Sequence, residues 1–249
     1  MCTLSWHYEK GGYTLFFNRD ERLARRRAQL PAMRQIDGIN IVSPRDADKG
    51  GSWIAVNEMG TTHCLLNLYG LQKPYLPSRP ISRGLLLMEL STHKEWAPTL
   101  DHLESLDLSS YEPFQYWQFT KNEKIKGVKW DGEAVHQLED SIFCEGPISG
   151  SSYQNDEVIT RREQTFRKTV SPNFVGAERI KALEAFHNSS ADPVAFGVNM
   201  LREDAQTVSY SKVVINDHKI SFHYQDKNQY GLEFAPPVIT TLPLRLLAK

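Results

Sequence analysis

The sequence carries almost no surplus charge: 29 lysines and arginines face 30 aspartates and glutamates, for a net charge of −1. A chain whose main task is gripping nucleic acid is usually far more basic, so no nucleic-acid partner is expected. Cysteine is scarce. Cys2, Cys64 and Cys144 are odd in number and widely spaced, which argues against a disulfide framework. None sits in a Cys-x-x-Cys pair, so a zinc ribbon is excluded as well. The histidines lack a His-Glu-x-x-His or comparable ligand spacing, and no catalytic metal is expected. No apolar run approaches the roughly 20 residues that span a bilayer, so no stable membrane insertion is expected. The first eight residues, Met1 to Tyr8, have neither the basic nor the apolar region of a signal peptide, and the expected location is the cytoplasm.

What is present is a globular chain. With 249 residues, 40% of them hydrophobic and 24% charged, it is long enough to bury a full core without staples. No repeat, low-complexity linker or composition break appears, so one domain over residues 1–249 is expected. The first seventy residues read as strands and turns. Cys2 to Tyr8 and Tyr13 to Phe17 are strands around Glu9-Lys10-Gly11-Gly12, followed by a polar stretch from Asn18 to Arg27. Trp53 to Val56 and Thr61 to Tyr69 form a hairpin through Asn57-Glu58-Met59-Gly60. Helices are expected at Leu85 to Glu95, Asp156 to Val170 and Gly176 to His187, from apolar residues at helical spacing. Strands are expected at Gln115–Thr120, Lys124–Trp130 and Ala134–Leu138, and a last hairpin at Thr207–Ile215 and Lys219–Tyr224. Strands at both ends with helices between point to an α+β layered fold.

The strongest chemical signal is position two. Methionine aminopeptidases remove Met when the next side chain is small, which would leave Cys2 at the start of the chain. One residue would then hold a thiol and an α-amine, whose unperturbed pKa near 7.7–8.0 suits it as base for its own thiol. The structural alternative is a small buried hydrophobe in a first strand.

Asn18-Arg19-Asp20-Glu21 follows the second strand, so a hairpin returns this cluster beside Cys2. There an Asp can hold the amine, and an Arg can depress the thiol pKa or grip a carboxylate. The alternative is a solvated strand end with a local ion pair. Gly50-Gly51-Ser52-Trp53 leads toward Asn67, which interrupts an otherwise apolar strand. A buried amide there is either satisfied structurally or held ready as an oxyanion donor.

Taken together, Cys2, the Asn18-Arg19-Asp20-Glu21 tetrad, Gly50-Gly51-Ser52-Trp53 and Asn67 resemble the NRDE family, also called the transport and Golgi organisation two family. The resemblance is specific from Cys2 to Asn67 and looser beyond, where Asp204-Ala205-Gln206-Thr207-Val208-Ser209 resembles a segment of bacterial members. It implies a branch of the N-terminal nucleophile fold, a four-layer αββα sandwich, related to the penicillin V acylases and conjugated bile acid hydrolases. By that resemblance Cys2, Arg19, Asp20, Asn57-Glu58 and Asn67 are counterparts of residues in those enzymes. Their second oxyanion Asn has no match: the region reads Ser149-Gly150-Ser151-Ser152-Tyr153, with Ser152 as substitute donor and Asn155 out of register. Arg202 stands where those hydrolases carry a late catalytic Arg. Losing one oxyanion donor costs about 10²–10³ in rate.

The resemblance also implies haem trafficking, with an acyl-CoA link. The expected function is therefore a cytosolic carrier of haem or a similar amphipathic anion, handing cargo to haem-accepting proteins. The alternative is an N-terminal cysteine amidohydrolase or acylase. In the carrier reading Asn18, Arg19, Arg22, Arg25, Arg26 and Arg27 meet propionates or a CoA phosphate, Trp53 lines the slot, and His7, His63 or Cys2 offers an axial ligand. The competing reading of the arginines is a solvated surface, and that of each histidine a structural role.

Overall fold

A computed structural model describes residues 2–71, 77–121, 125–138 and 146–245. Strands β1 (Cys2–Glu9) and β2 (Gly12–Arg22) form a hairpin that sets Cys2 opposite Arg19. The turn needs glycine, since Gly11 sits at φ 84° in the left-handed region. Successive side chains take opposite faces. Cys2, Leu4, Tyr13, Leu15 and Phe17 therefore enter one core cluster, while Phe16 enters another across the sheet.

The sequence reading ends the second strand at Phe17; the structure carries it to Arg22. The reason is β11 (Ala205–Ile215), which pairs along β2 with Thr207 opposite Asp20 and Ala205 opposite Arg22. Polar side chains do not end a strand whose backbone groups are paired. The six-stranded sheet runs β10 (Ile148–Gly150), β1, β2, β11, β12 (Lys219–Asp226), β13 (Val238–Pro243). The second sheet, of seven strands, runs in chain order: β3 (Gln29–Ile36), β4 (Ile39–Arg45), β5 (Ile54–Asn57), β6 (Thr62–Asn67), β7 (Phe114–Phe119), β8 (Lys126–Trp130) and β9 (Val135–Leu138). Strand β3 escapes a sequence reading because it is a largely exposed edge that contains Pro31 and shows no clean alternation. Lys124, at the start of one expected strand, lies outside the described residues, as does Cys144.

The helix expected over Leu85–Glu95 ends early, as α1 (Arg83–Leu90), and a helix the spacing did not predict, α2 (Trp96–Ser105), follows it. The interruption has a visible cause. Asn57 Nδ2 donates to the carbonyls of Ser91 and His93 at 3.0 and 2.8 Å, and Thr61 Oγ1 donates to that of Lys94 at 3.0 Å. The β5–β6 turn thus takes the carbonyls that a continuing helix would use. Helices α3 (Asn155–Thr169) and α4 (Gly176–Asn188) lie within a residue of the positions their apolar spacing predicts.

Leu86, Leu87 and Leu90 of α1 and Leu103 of α2 pack on Ile41, Ala55, Tyr116 and Val128 of the seven-stranded sheet. Phe166 of α3 and Leu183 and Phe186 of α4 pack on Phe16 and Tyr210 of the other. The sheets meet through Leu4, Phe17, Val56, Trp117, Phe119 and Phe222. The order is helix, sheet, sheet, helix: a four-layer αββα sandwich of the α+β class. Tyr13 spans the inner layer, its hydroxyl 2.8 Å from Thr62 Oγ1 on the facing sheet. Among the described residues, no helix is long and apolar enough to cross a membrane.

Candidate functional site

Cys2, 7% exposed, sits where the inner layer opens to solvent. It borders a cavity of about 190 Å³. The walls come from Arg19 of β2, Gly51 to Trp53 ahead of β5, Leu65 and Asn67 of β6, and Pro80 to Gly84 at the start of α1. The Arg19 guanidinium lies 3.9 Å from the Trp53 ring centroid. It also pairs with Glu21 at 3.0 Å and Asp46 at 3.1 Å. Burial pushes the Cys2 thiol pKa up; the Asp20 charge adds to the rise and Arg19 opposes it. Burial also works against the Asp46 charge. The N–H donors of Lys49 and Asp48, with Arg25 and Arg19, outweigh it and hold that carboxyl below its usual range.

The tetrad divides between the two faces of the sheet. Arg19 and Glu21 turn to the cavity. The Asp20 carboxylate turns to the helices, where it pairs with Arg162 at 2.9 Å and accepts from Thr207 Oγ1 at 2.6 Å. Arg162 also donates to Thr3 Oγ1 at 2.5 Å. Asn18 Nδ2 donates to the carbonyls of His187 and Val198, and its Oδ1 lies 3.0 Å from His187 Nδ1. His187 Nε2 in turn lies 2.8 Å from Ser5 Oγ. Burial, with Arg162 adding, lowers the His187 pKa to about 3, so this ring is neutral. Asn18 is therefore a strut between β2 and α4, and it does not reach the cavity.

Asn67 borders the cavity, with its Nδ2 donating to Tyr69 OH at 2.9 Å. Ser152 does not border it. It lines an adjoining cavity of about 770 Å³, together with Arg22, Tyr69, Leu71 and Arg202. Asp20, Glu21, Arg25, Asn67, Arg83 and Glu112 border both cavities. Arg202 lies 4.9 Å from the Tyr153 ring centroid and 3.1 Å from Asp204. Asn155 Oδ1 accepts the Ser151 N–H at 3.0 Å.

The arginine cluster is partnered within the protein. Arg25 pairs with Asp46 at 2.5 Å, Arg26 with Asp48 at 2.6 Å and Arg27 with Asp226 at 2.9 Å. Only Arg22 of the group has no ion pair among the described residues. His7 points away from Cys2, because it stands five positions further along β1 and alternate side chains take opposite faces. His63 is fully buried, its Nδ1 2.5 Å from Tyr116 OH, and burial with His93 adding lowers its pKa to about 3. Neither histidine borders either cavity. Asn57 and Glu58 also lie elsewhere: Asn57 ties the β5–β6 turn to the end of α1, and Glu58 pairs with Arg245 at 3.0 Å. Among the described residues no group of His, Cys, Asp and Glu is arranged to hold a metal.

Sequence reasoning missed Asp46, Arg83, Glu112 and Arg162. For Arg162 a signal existed. Val158, Arg162 and Phe166 are the buried residues of α3, at spacings of four, so an arginine stands in the apolar stripe. A cation there needs a buried acid, and Asp20 is that acid.

The Transport and Golgi organisation 2 family model matches residues 1–231. The chain belongs to this family. No curated protein matches it in sequence. Among solved structures, this Transport and Golgi organisation 2 chain is similar to penicillin V acylase from Agrobacterium tumefaciens, at 10% identity and a TM-score of 0.56, covering 98% of this chain and 86% of that one. It is also similar to the mutant C2A conjugated bile acid hydrolase from Clostridium perfringens, at 11% identity and a TM-score of 0.51, covering 98% and 92%. At such identities the likeness is one of fold, and the fold is that of the N-terminal nucleophile hydrolases.

Proposed function

We propose that this chain is an N-terminal cysteine amidohydrolase or thioester hydrolase in which Cys2 is the nucleophile. The observation that carries the reading is the placement of the Cys2 thiol on a cavity that Arg19 and Asn67 also border. Removal of Met1 gives Cys2 an α-amine, which takes the thiol proton as sulfur attacks the substrate carbonyl. Collapse of the tetrahedral adduct breaks the C–N or C–S bond, and the same proton leaves with the departing amine or thiol. Water then hydrolyses the acyl-cysteine and restores the thiol. Arg19 favours the thiolate against burial, and Asn67 Nδ2, turned from Tyr69, donates to the oxyanion. Two of the solved structures that share the fold are by name a hydrolase and an acylase, and the first carries a C2A change.

A specific observation favours a second reading, a cytosolic carrier of haem or acyl-CoA. The adjoining cavity, at about 770 Å³, is four times the volume of the Cys2 chamber and mixes Leu68, Tyr69 and Leu71 with Arg22, Arg25, Arg83 and Arg202, which outnumber the Asp20, Glu21 and Glu112 that share the wall. Such a wall suits an amphipathic anion, and the family resemblance implies haem trafficking.

The deciding experiment begins with intact mass, to establish that Met1 is absent. Acyl amides and thioesters are then screened with Cys2→Ser as blank. Turnover with a transient acyl adduct on Cys2 is expected; equal rates in the two proteins would sink the hydrolase. A saturable one-site Soret shift, with transfer to apomyoglobin faster than that of free haem, would establish the carrier in its place.

A further inference from the structure

Among the described residues each sheet ends in two open edges, and three of the four are protected. Strand β10 is three residues long and β9 four. Strand β3 carries Pro31 and Arg34, and its register with β4 shifts between Gln29 and Ala32. Shortness, proline, charge and a bulge are the devices that keep an edge from pairing with another chain. Strand β13 lacks them from Val238 to Leu242. This run holds no charge and opens with four β-branched residues, Val238-Ile239-Thr240-Thr241, the side chains that suit a strand best. Pro237 and Pro243 only bracket it. One side of β13 pairs with β12, and among the described residues no strand pairs with the other. Such an edge presents a row of N–H and C=O groups to an incoming strand.

Apolar surface collects at the same place. Val238 and Ile239 of β13 are exposed, Ile239 to 54%. So are Leu30 and Met33 of β3, the edge of the facing sheet, Met33 to 58%. The two edges run together on one flank of the sandwich, where Thr240 Oγ1 donates to the Pro31 carbonyl at 3.4 Å. That flank therefore holds four of the ten large hydrophobic side chains exposed among the described residues. Single apolar residues scattered over a surface are ordinary, but a group of them beside an unprotected edge marks a contact site.

Charge selects the occupant. Lys219 lies opposite Pro243 at one end of β13. Glu233 precedes the other end, beside Phe234, which bridges to Lys227. Both are exposed, and neither has an ion pair among the described residues. The other charges near these ends are engaged, Asp226 with Arg27 at 2.9 Å and Arg245 with Glu58 at 3.0 Å. An antiparallel partner of the same sequence sets the Glu233 end of one strand toward the Lys219 end of the other, twice over by symmetry. A foreign strand would cover β13 alone, whereas a second copy also sets Leu30 and Met33 against an equal apolar flank. We propose that β13 and the adjoining edge of β3 form a two-fold interface with a second copy of this chain, in which β13 pairs antiparallel with its counterpart and joins the two six-stranded sheets into one. Pairing about a two-fold axis uses both edges, so the assembly closes at two chains. None of these residues borders the Cys2 chamber or the larger cavity, so the interface stands whichever reading of the cavities holds.

The test is sedimentation velocity of the full chain at low salt, from about 1 to about 100 µM. A reversible dimer of twice the chain mass is expected. Ile239→Lys and Met33→Lys each place a charge in the apolar flank and should weaken association about tenfold or more. Both side chains are exposed in the single chain, so urea midpoints of the separated chains should stay close to the parent's. Lys219→Glu brings like charges together and should weaken the dimer by up to about fivefold, and adding Glu233→Lys should restore it. A single species at the chain mass throughout the range would overturn the proposal. So would a dimer that neither Ile239→Lys nor Met33→Lys weakens, since its interface would lie elsewhere. A loss in Lys219→Glu that Glu233→Lys fails to recover would overturn the antiparallel pairing.

Discussion

Asp20 and Arg162 form an ion pair at 2.9 Å with side chains 0% and 1% exposed, on the sheet face opposite the one that Arg19 presents to the cavity. The tetrad therefore serves two faces. Asn18 and Asp20 hold α3 and α4 onto the sheet, and Arg19 and Glu21 shape the site. Breaking a buried pair from one side strands the other charge, so Arg162→Met should cost about 3–5 kcal/mol in urea unfolding. Adding Asp20→Asn should recover part of that loss. A cost near zero for Arg162→Met would show that Asp20 needs no partner.

Cys2→Ser exchanges one atom at the cavity and leaves the β1–β2 pairing intact. It should abolish hydrolysis while thermal unfolding stays close to the parent's. A large fall in melting temperature would assign Cys2 to the core, whose buried cluster it shares with Leu4 and Phe17.

A Cβ on Gly51 would lie 2.2 Å from the Gly84 carbonyl carbon, so Gly51→Ala and Gly84→Ala both insert a methyl into the contact between the 50–53 loop and α1. Overpacking of this kind costs about 1–3 kcal/mol. Gly146→Ala is the control, since a Cβ there meets nothing within 4 Å. Denaturation of the three variants checks the claim. Equal stability in all of them would mean that the contact relaxes freely.

His63 and His187 are fully buried, each with its pKa lowered to about 3. Between that value and the unfolded value near 6.5, the unfolded chain holds protons that the folded chain refuses. Stability should therefore rise with pH through this window and fall as pH drops below about 6.5, by up to about 1.4 kcal/mol per pH unit for each ring. Urea midpoints from pH 4 to 8 measure it, and His63→Gln or His187→Gln should flatten the slope. A flat parent profile would mean that these rings are protonated in the fold.

For the carrier reading, Arg22→Ala and Arg202→Ala should weaken haem or acyl-CoA binding, because both residues border the larger cavity. Arg26→Ala should not: its guanidinium is engaged by Asp48 and lines neither that cavity nor the Cys2 chamber. Affinities measured by Soret or fluorescence titration that fall equally in all three would count against a specific site.

The first hairpin was legible because short-range rules govern it: period-two alternation, a glycine turn, and a register that places Arg19 opposite Cys2. Helices α3 and α4 were legible by apolar spacing. The helix expected over Leu85–Glu95 was misjudged because Asn57 and Thr61, on another element, end it. Ser152 shows the same limit from the side of the site. Its segment does come alongside Cys2, since β10 pairs Gly150 with Cys2 and Ser149 with Thr3. Two residues past the strand, however, the chain turns toward the larger cavity.

The sequence by itself determined the opening strands, the cysteine at the end of one and the cluster facing it, because backbone geometry ties neighbours in the chain to fixed positions. Only the tertiary structure decided what those residues touch. Asp20 meets an arginine 142 residues away, and Ser52 meets the start of a helix whose docking depends on two glycines from different segments. Such partners are chosen by burial, which forces each desolvated charge or donor to find an acceptor wherever packing brings one.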